Sequence, residues 1–85
     1  MNIKFTINAW EESGYWQITV KKVVKKINDL IKDIQRNPSD GIGKPEALKY
    51  DLSGYWSRRI DHEHRLIYQM IENDLLIYSC RYHFD

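Results

Sequence analysis

The sequence predicts an α+β fold, in which two N-terminal helices pack on one face of a mostly antiparallel sheet. Three observations predict it: a helical apolar repeat from Val20 to Ile34, strand-like alternation in the C-terminal half, and a length of 85 residues. A chain of that length is expected to form a single domain, here residues 1–85.

The N-terminal half should hold a short strand followed by the two helices. Alternation between Ile3 and Ile7 predicts the strand. Asn8 is the expected N-cap of the first helix and Thr19 that of the second, because short polar side chains can accept hydrogen bonds from the exposed backbone N–H groups. The second helix should end at Asn37, because a proline follows it.

The polar side of the second helix is basic. Its lysines are Lys21, Lys22, Lys25, Lys26 and Lys32. A solvated face is the ordinary interpretation of such a pattern, and a face that contacts phosphate groups is the alternative.

The rest of the chain reads as a loop followed by strands. A glycine-containing loop is expected at 39–45, and strands at 47–50, 55–60, 64–71 and 75–82. Residues 72–74 should form the turn between the last two strands. Trp56 is interpreted as a core residue, with a base-stacking role as the alternative.

Side-chain parity determines which strand residues share a face, because successive residues point to opposite sides of a sheet. The faces expected toward the helices carry Leu66, Tyr68 and Met70 on one strand and Leu76, Tyr78, Cys80 and Tyr82 on the next. An odd number of turn residues, with Ile71 opposite Leu75, then gathers four cationic or titratable side chains on the far face. They are Arg59, Arg65, Arg81 and His83. A slip of one residue would separate them.

The candidate site contains the groups needed to cleave RNA through its own 2′-hydroxyl. Glu46 can act as general base and His83 as general acid, while Arg65 can stabilise the charge that develops on the phosphate. The further candidate phosphate or RNA contacts are Lys49, Arg59, Arg81 and Phe84. No cofactor is expected, because His62 and His64 form only a weak metal-binding pattern that no other cluster completes.

Composition limits the other classes of function. The formal net charge of +1 argues against a strongly basic, free-standing nucleic-acid binder. One cysteine excludes an internal disulfide and suits a reducing compartment. No apolar run approaches the roughly 20 residues of a membrane helix, and no signal peptide is visible, so a cytoplasmic protein without membrane contact is expected.

Several motifs together resemble the YoeB toxins of the RelE superfamily. They are NDLIKD at 28–33, GKPEALK at 43–49, LSGYWSRRI at 52–60, EHRLIY at 63–68 and CRYH at 80–83. The resemblance implies a ribosome-dependent endoribonuclease that cuts messenger RNA in the ribosomal A site. It also implies an antitoxin of the YefM type, and leaves a homodimer open as an assembly.

By motif, the resemblance assigns the same roles to Glu46, Arg65 and His83, and makes Lys49 and Arg59 phosphate or RNA contacts. One departure is the C-terminus, where the family typically ends His-Tyr and this chain ends with His83, Phe84 and Asp85. Phe84 keeps an aromatic ring for packing or stacking but lacks the hydroxyl. The alternative function is a non-catalytic protein on the same scaffold, directed at gyrase or binding only an antitoxin.

Overall fold

The computed structural model describes residues 1–81. Helices α1 (Ile7–Thr19) and α2 (Lys21–Arg36) follow the first strand. The strands are β1 (Asn2–Phe5), β2 (Glu46–Ala47), β3 (Trp56–Arg59), β4 (Arg65–Ile71) and β5 (Asp74–Ser79). They form a sheet in the order β1-β5-β4-β3-β2, in which only the β1–β5 pairing is parallel. The predicted α+β class is therefore confirmed.

One hydrophobic core joins both helices to a single face of the sheet. Leu30 and Ile34 of α2 are completely buried there, as are Leu66 and Tyr68 of β4. Trp56 packs against this core, as the sequence predicts. Burial of apolar side chains is the main term that stabilises such a small domain.

The two predicted helix caps are wrong. Thr6 is the N-cap of α1: its Oγ1 accepts a hydrogen bond from Ala9 N at 3.0 Å and donates one to the Tyr78 carbonyl at 2.8 Å. That second bond ties the cap to β5, an advantage that Asn8 inside the helix lacks. Thr19 is the last residue of α1 and donates to Tyr15 O, while α2 begins after Val20 without a side-chain cap. The predicted end of α2 is confirmed, with Asn37 as its C-cap.

The predicted strand at 47–50 is also mostly wrong. The extended segment is only Glu46–Ala47, and a 3₁₀ turn follows at Tyr50–Leu52. Lys49 is still extended, and Tyr50, with φ of 57°, is left-handed at the start of that turn. The strands expected at 55–60 and 64–71 are confirmed. The strand expected at 75–82 forms as Asp74–Ser79: Cys80 and Arg81 lie beyond its end, and residue 82 is outside the described part.

The β4–β5 hairpin has the expected register only beyond Tyr78, and it reaches that register by a different route. Its turn has two residues, because Ile71 pairs with Asp74 and not with Leu75. Leu75 and Ile77 therefore enter the core, and the expectation that Leu76 and Tyr78 would do so is wrong. The pairing Tyr68–Ile77 is followed by Ile67–Ser79, so a β-bulge at Tyr78 shifts the register by one residue. Cys80 consequently returns to the core, as predicted.

Candidate active site

Strand register brings several of the predicted site residues to one face of the sheet. Antiparallel partners point to the same side, and the pairs Glu46–Ser57 and Ser57–Ile67 form a row across β2, β3 and β4. Arg59 and Arg65 form the next such pair, two residues along. We call this surface the open face; it carries the exposed Glu46 and Arg59, the half-buried Arg65, and the buried Ser57 and Ile67. Arg58 and Leu66 point the other way, into the core.

Arg65 is half-buried and fixed by the turn that precedes β4. Its Nη1 donates hydrogen bonds to the carbonyl oxygens of Asp61 at 2.9 Å and His64 at 3.2 Å. The Asp61 carboxylate in turn accepts from the backbone N–H groups of Glu63 and His64. Burial raises the pKa of Asp61, but these hydrogen bonds outweigh it and the pKa is lowered overall. These hydrogen bonds hold the turn and one nitrogen of Arg65, and its other guanidinium N–H groups are available for an anion.

Glu46 and Arg59 are exposed, and neither side chain forms a hydrogen bond or ion pair with another residue of the described chain. Lys49 is also exposed, at the N-cap of the 3₁₀ turn after β2. It lies past the paired part of the strand, so the register does not assign its side chain to a face. A carboxylate and cations that form no internal ion pairs are available to contact a substrate.

A buried arginine, whose role the sequence analysis did not identify, fixes the loop that leads to Glu46. Arg58 has no exposed surface, and its Nη1 donates to Asp33 Oδ2 at 2.6 Å and to Ile42 O at 3.2 Å. Its Nη2 donates to the carbonyls of Asn37 and Asp40. The loop is therefore wrapped around one guanidinium group.

Tyr68 completes this network from the neighbouring strand. Its hydroxyl accepts from Arg58 Nε at 3.0 Å and donates to the Pro38 carbonyl at 2.6 Å. The hydrogen bond from Arg58, with another from the Ile42 N–H, lowers the pKa of Asp33. Parity could have located Arg58, since it lies between Ser57 and Arg59 and must face the core if they do not.

Gly41 is required by the same network. Its φ is 115°, and a Cβ atom at this position would lie 2.0 Å from Asp33 Oδ2. The close approach lets the loop reach Asp33, and Gly43 then accepts a hydrogen bond from Arg59 N at 2.6 Å. These contacts set where β2, and with it Glu46, begins.

Helix α1 holds the C-terminal end of β5. Glu12 Oε1 accepts from Ser79 Oγ at 3.1 Å and from Cys80 N at 3.0 Å, and Trp16 Nε1 donates to Cys80 O at 2.8 Å. The guanidinium of Arg81 lies 3.7 Å from the centroid of the Tyr15 ring. Of the predicted site residues, His83 and Phe84 lie outside the described part of the chain.

The described residues suggest no other chemistry. Burial, with a smaller contribution from Glu12, raises the pKa of Cys80 to about 12, so its thiol stays protonated and is a poor nucleophile. His64 is buried edge-to-face against Trp16. Within residues 1–81, no three His, Cys, Asp or Glu side chains are grouped as metal ligands. No helix there is long and apolar enough to cross a membrane.

Comparison with known proteins agrees with this architecture. A family model described as a YoeB-like toxin of a bacterial type II toxin–antitoxin system matches residues 5–84. Toxin YoeB of Escherichia coli strain K12 is 54% identical over 84 residues, which is 99% of this chain and 100% of that protein.

Solved structures of such toxins superpose closely. A YoeB/ParE toxin from Agrobacterium tumefaciens aligns with a TM-score of 0.95 at 44% identity, covering 99% of this chain and 100% of the other. The toxin in a heterotetrameric YoeB–YefM complex from Staphylococcus aureus aligns at 0.92 with 54% identity, covering 99% and 98%. A dimer of YoeB from the same species aligns at 0.93, with the same identity and coverage.

Fold and sequence together define a toxin of a bacterial type II toxin–antitoxin system. The chain belongs to the YoeB-like toxin family.

Proposed function

We propose that this chain is a ribosome-dependent endoribonuclease that cleaves messenger RNA in the ribosomal A site. The observation that carries the proposal is the open face, where Glu46 shares one side of the sheet with Arg59 and Arg65. A carboxylate can accept a proton from a hydroxyl group, and nearby guanidinium groups can stabilise the charge on a phosphodiester.

The proposed reaction is attack of the 2′-hydroxyl on the adjacent phosphate. Glu46 removes the hydroxyl proton, O2′ forms a bond to phosphorus, and the bond from phosphorus to the 5′-oxygen breaks. His83 gives its proton to the leaving 5′-oxygen. The products are a 2′,3′-cyclic phosphate and a 5′-hydroxyl end, and the scheme requires no metal ion.

Arg65 is assigned to the charge that builds on the non-bridging oxygens. Two backbone carbonyls hold its Nη1, so little reorganisation is needed when the phosphate becomes more negative. The further proposed contacts to phosphate or RNA are Lys49, Arg59, Arg81 and Phe84.

The ribosome supplies the alignment that a small protein lacks. With a formal net charge of +1, this chain should hold free RNA weakly and release it as salt is added. A messenger that is already ordered in the A site removes much of the entropic cost of positioning the 2′-hydroxyl. We therefore infer that cleavage depends on the ribosome. Since the ribosome is in the cytoplasm, we also infer a cytoplasmic location.

The proposed protein partner is an antitoxin of the YefM type. The Staphylococcus aureus relative was solved both in complex with YefM and as a dimer. At 54% identity over nearly the whole chain, we infer the same two kinds of assembly here, a toxin–antitoxin complex and a homodimer.

The test is cleavage of a defined messenger on programmed ribosomes, with both cut ends mapped. We expect 5′-hydroxyl ends and single-turnover rates that fall roughly 100-fold or more in each of Glu46→Ala, Arg65→Ala and His83→Ala. Thermal unfolding of each variant controls for loss of fold. A 5′-phosphate end, or wild-type rates in all three variants, would refute the mechanism. A wild-type protein that cuts no messenger would favour the non-catalytic alternative.

A further inference from the structure

Tyr50 is an exposed aromatic residue in a strained backbone conformation beside the candidate active site. Its side chain is 88% exposed and its φ is 57°. Tyrosine rarely adopts this left-handed conformation, because its Cβ crowds the backbone. An exposed ring contributes little burial to offset that cost, so packing within this chain does not account for the position of Tyr50.

The turn holds the backbone of Tyr50 and leaves its ring free. Leu52 N donates to Lys49 O at 3.2 Å, Ser53 N donates to Tyr50 O at 3.0 Å, and Tyr55 N donates to Leu52 O at 3.0 Å. Among the described residues, the Tyr50 ring has no aromatic or cationic partner. A residue whose backbone is held by hydrogen bonds and whose ring is exposed is suited to contact another molecule.

The location of the strain points to the candidate active site. The described chain has three non-glycine residues with positive φ: Lys44, Tyr50 and Glu72. Glu72 lies in the two-residue turn of the β4–β5 hairpin, where such a conformation is required. Lys44 and Tyr50 instead flank the short strand that carries Glu46. Strained residues tend to cluster at functional sites.

We propose that Tyr50 is a base-stacking residue, whose ring packs against an unpaired nucleobase close to the bond that is cut. The inference rests on the proposed function. Four residues of chain span at most about 14 Å, so the ring lies within a few nucleotides of a phosphate held beside Glu46. Exposed aromatic rings next to cations, here Lys49 directly before Tyr50, are how proteins bind single-stranded nucleic acid.

The experiment measures binding of a short, fully 2′-O-methylated RNA, which cannot be cleaved, by fluorescence anisotropy at low salt. The proteins are the wild type, Tyr50→Phe, Tyr50→Leu and the control Trp10→Leu. Trp10 is the control for loss of an exposed aromatic residue elsewhere: it lies on α1, is 64% exposed, and its ring contacts only the edge of Phe5 among the described aromatic residues. We expect Tyr50→Leu to weaken affinity between about 5-fold and 150-fold, the scale of one stacked base, and Tyr50→Phe and Trp10→Leu to bind like the wild type.

Several results would overturn the proposal. One is unchanged RNA affinity in Tyr50→Leu, and another is no RNA binding by the wild type. A third is a loss of affinity in Tyr50→Phe as large as that in Tyr50→Leu, which would assign the contact to the hydroxyl. A Tyr50→Leu defect confined to antitoxin binding would also overturn it and make the ring a protein contact.

Cleavage on programmed ribosomes, measured with the same variants, separates this inference from the proposed function. A wild type that binds the RNA through Tyr50 but cuts no messenger would refute the endoribonuclease while retaining the stacking contact. A wild type that cuts, with Tyr50→Leu equal to it in both RNA affinity and KM, would refute only the stacking contact. Unfolding of Tyr50→Leu should match the wild type, since the ring is exposed.

Discussion

Arg58 and Arg59 are neighbours in the sequence and have opposite environments. Strand alternation turns Arg58 into the core, where it has no exposed surface, and Arg59 onto the open face. Desolvation of a guanidinium is tolerated only when its donors are satisfied. The loop carbonyls, Asp33 and the Tyr68 hydroxyl satisfy those of Arg58. The first arginine therefore organises the loop, and the second is available to a ligand.

Replacing Arg58 should destabilise the protein far more than replacing Arg59. Arg58→Met keeps much of the volume but leaves the loop carbonyls and Asp33 without their donor. We expect the free energy of unfolding to fall by roughly 2–4 kcal/mol. Arg59→Met, the matched control, should change it by no more than about 0.5 kcal/mol. Urea unfolding of both variants measures the difference, and equal effects would show that the Arg58 network does not stabilise the loop.

The Asp33–Arg58 pair should make the free energy of unfolding depend on pH in the acid range. Because the hydrogen bond from Arg58 lowers the pKa of Asp33, the folded state favours the carboxylate. This contribution is fully present above the unfolded value near 3.8 and is lost as the pH falls through the folded pKa. The free energy of unfolding should thus decrease below about pH 4, and less steeply in Asp33→Asn. The pKa values of Asp61 and Asp74 are also lowered, so the free energy of unfolding of Asp33→Asn should still fall somewhat at acid pH. Identical pH profiles would contradict the assignment.

At the scale of elements, the β4–β5 hairpin shows where sequence patterns stop being informative. An odd shift was required to bring Arg65 and the C-terminal residues to one face. A two-residue turn and a bulge at Tyr78 produce that shift, which is seen in the Ile67–Ser79 pairing. Alternation could not reveal this, because residues 75–78 are all apolar or aromatic and either set could have entered the core. The Arg81 guanidinium, which was expected on the face away from the helices, instead packs on the Tyr15 ring of α1.

The other incorrect elements depended on contacts between distant residues. Both Thr6 and Asn8 can cap a helix, and the choice of Thr6 includes its hydrogen bond to Tyr78 across the sheet. The predicted strand at 47–50 could not extend through Tyr50, because that residue is left-handed, a conformation that residue type does not predict. By contrast, the apolar period of α2 was sufficient to locate that helix.

The hydrogen bonds from β5 to Glu12 of α1 should position His83, the proposed general acid. In Glu12→Leu, the Cys80 N–H and the Ser79 hydroxyl lose their shared acceptor, three to four residues before His83. We expect kcat for cleavage on programmed ribosomes to fall about 10- to 100-fold with little change in KM, because a small displacement of the acid slows proton transfer without removing a binding contact. Glu12→Gln retains an oxygen acceptor and should stay near the wild type. A defect in KM alone, or equal defects in both variants, would argue against a positioning role.

For the whole molecule, the near-neutral charge conceals an uneven distribution. Helix α2 carries its lysines on the exposed side, whereas Arg59 and Arg65 lie on the open face. Register from the sequence was enough to place Arg59 and Arg65 together, and the pairing of β2 with β3 in the structure adds Glu46 to the same face. It could not show that Arg58 organises the loop, because burial of an arginine depends on partners far away in the chain. The two basic surfaces can therefore be tested separately against the proposed partners.

The proposed antitoxin should cover the open face with a segment that is disordered when free. Such a segment gains order by pairing its carboxylates with exposed cations, and it would exclude RNA from Glu46. We expect Arg59→Glu to weaken binding of a YefM-type antitoxin at least about 10-fold, the effect of reversing one interfacial charge. Lys32→Glu is the control, since it makes the same reversal on the exposed side of α2. Calorimetric titration of both variants measures the affinities, and hydrogen exchange of the complex locates the contact. Three results together would refute occlusion of the open face: hydrogen-exchange protection confined to α2, weaker antitoxin binding by Lys32→Glu than by Arg59→Glu, and messenger cleavage that the antitoxin does not inhibit. They would place the antitoxin on the helix side.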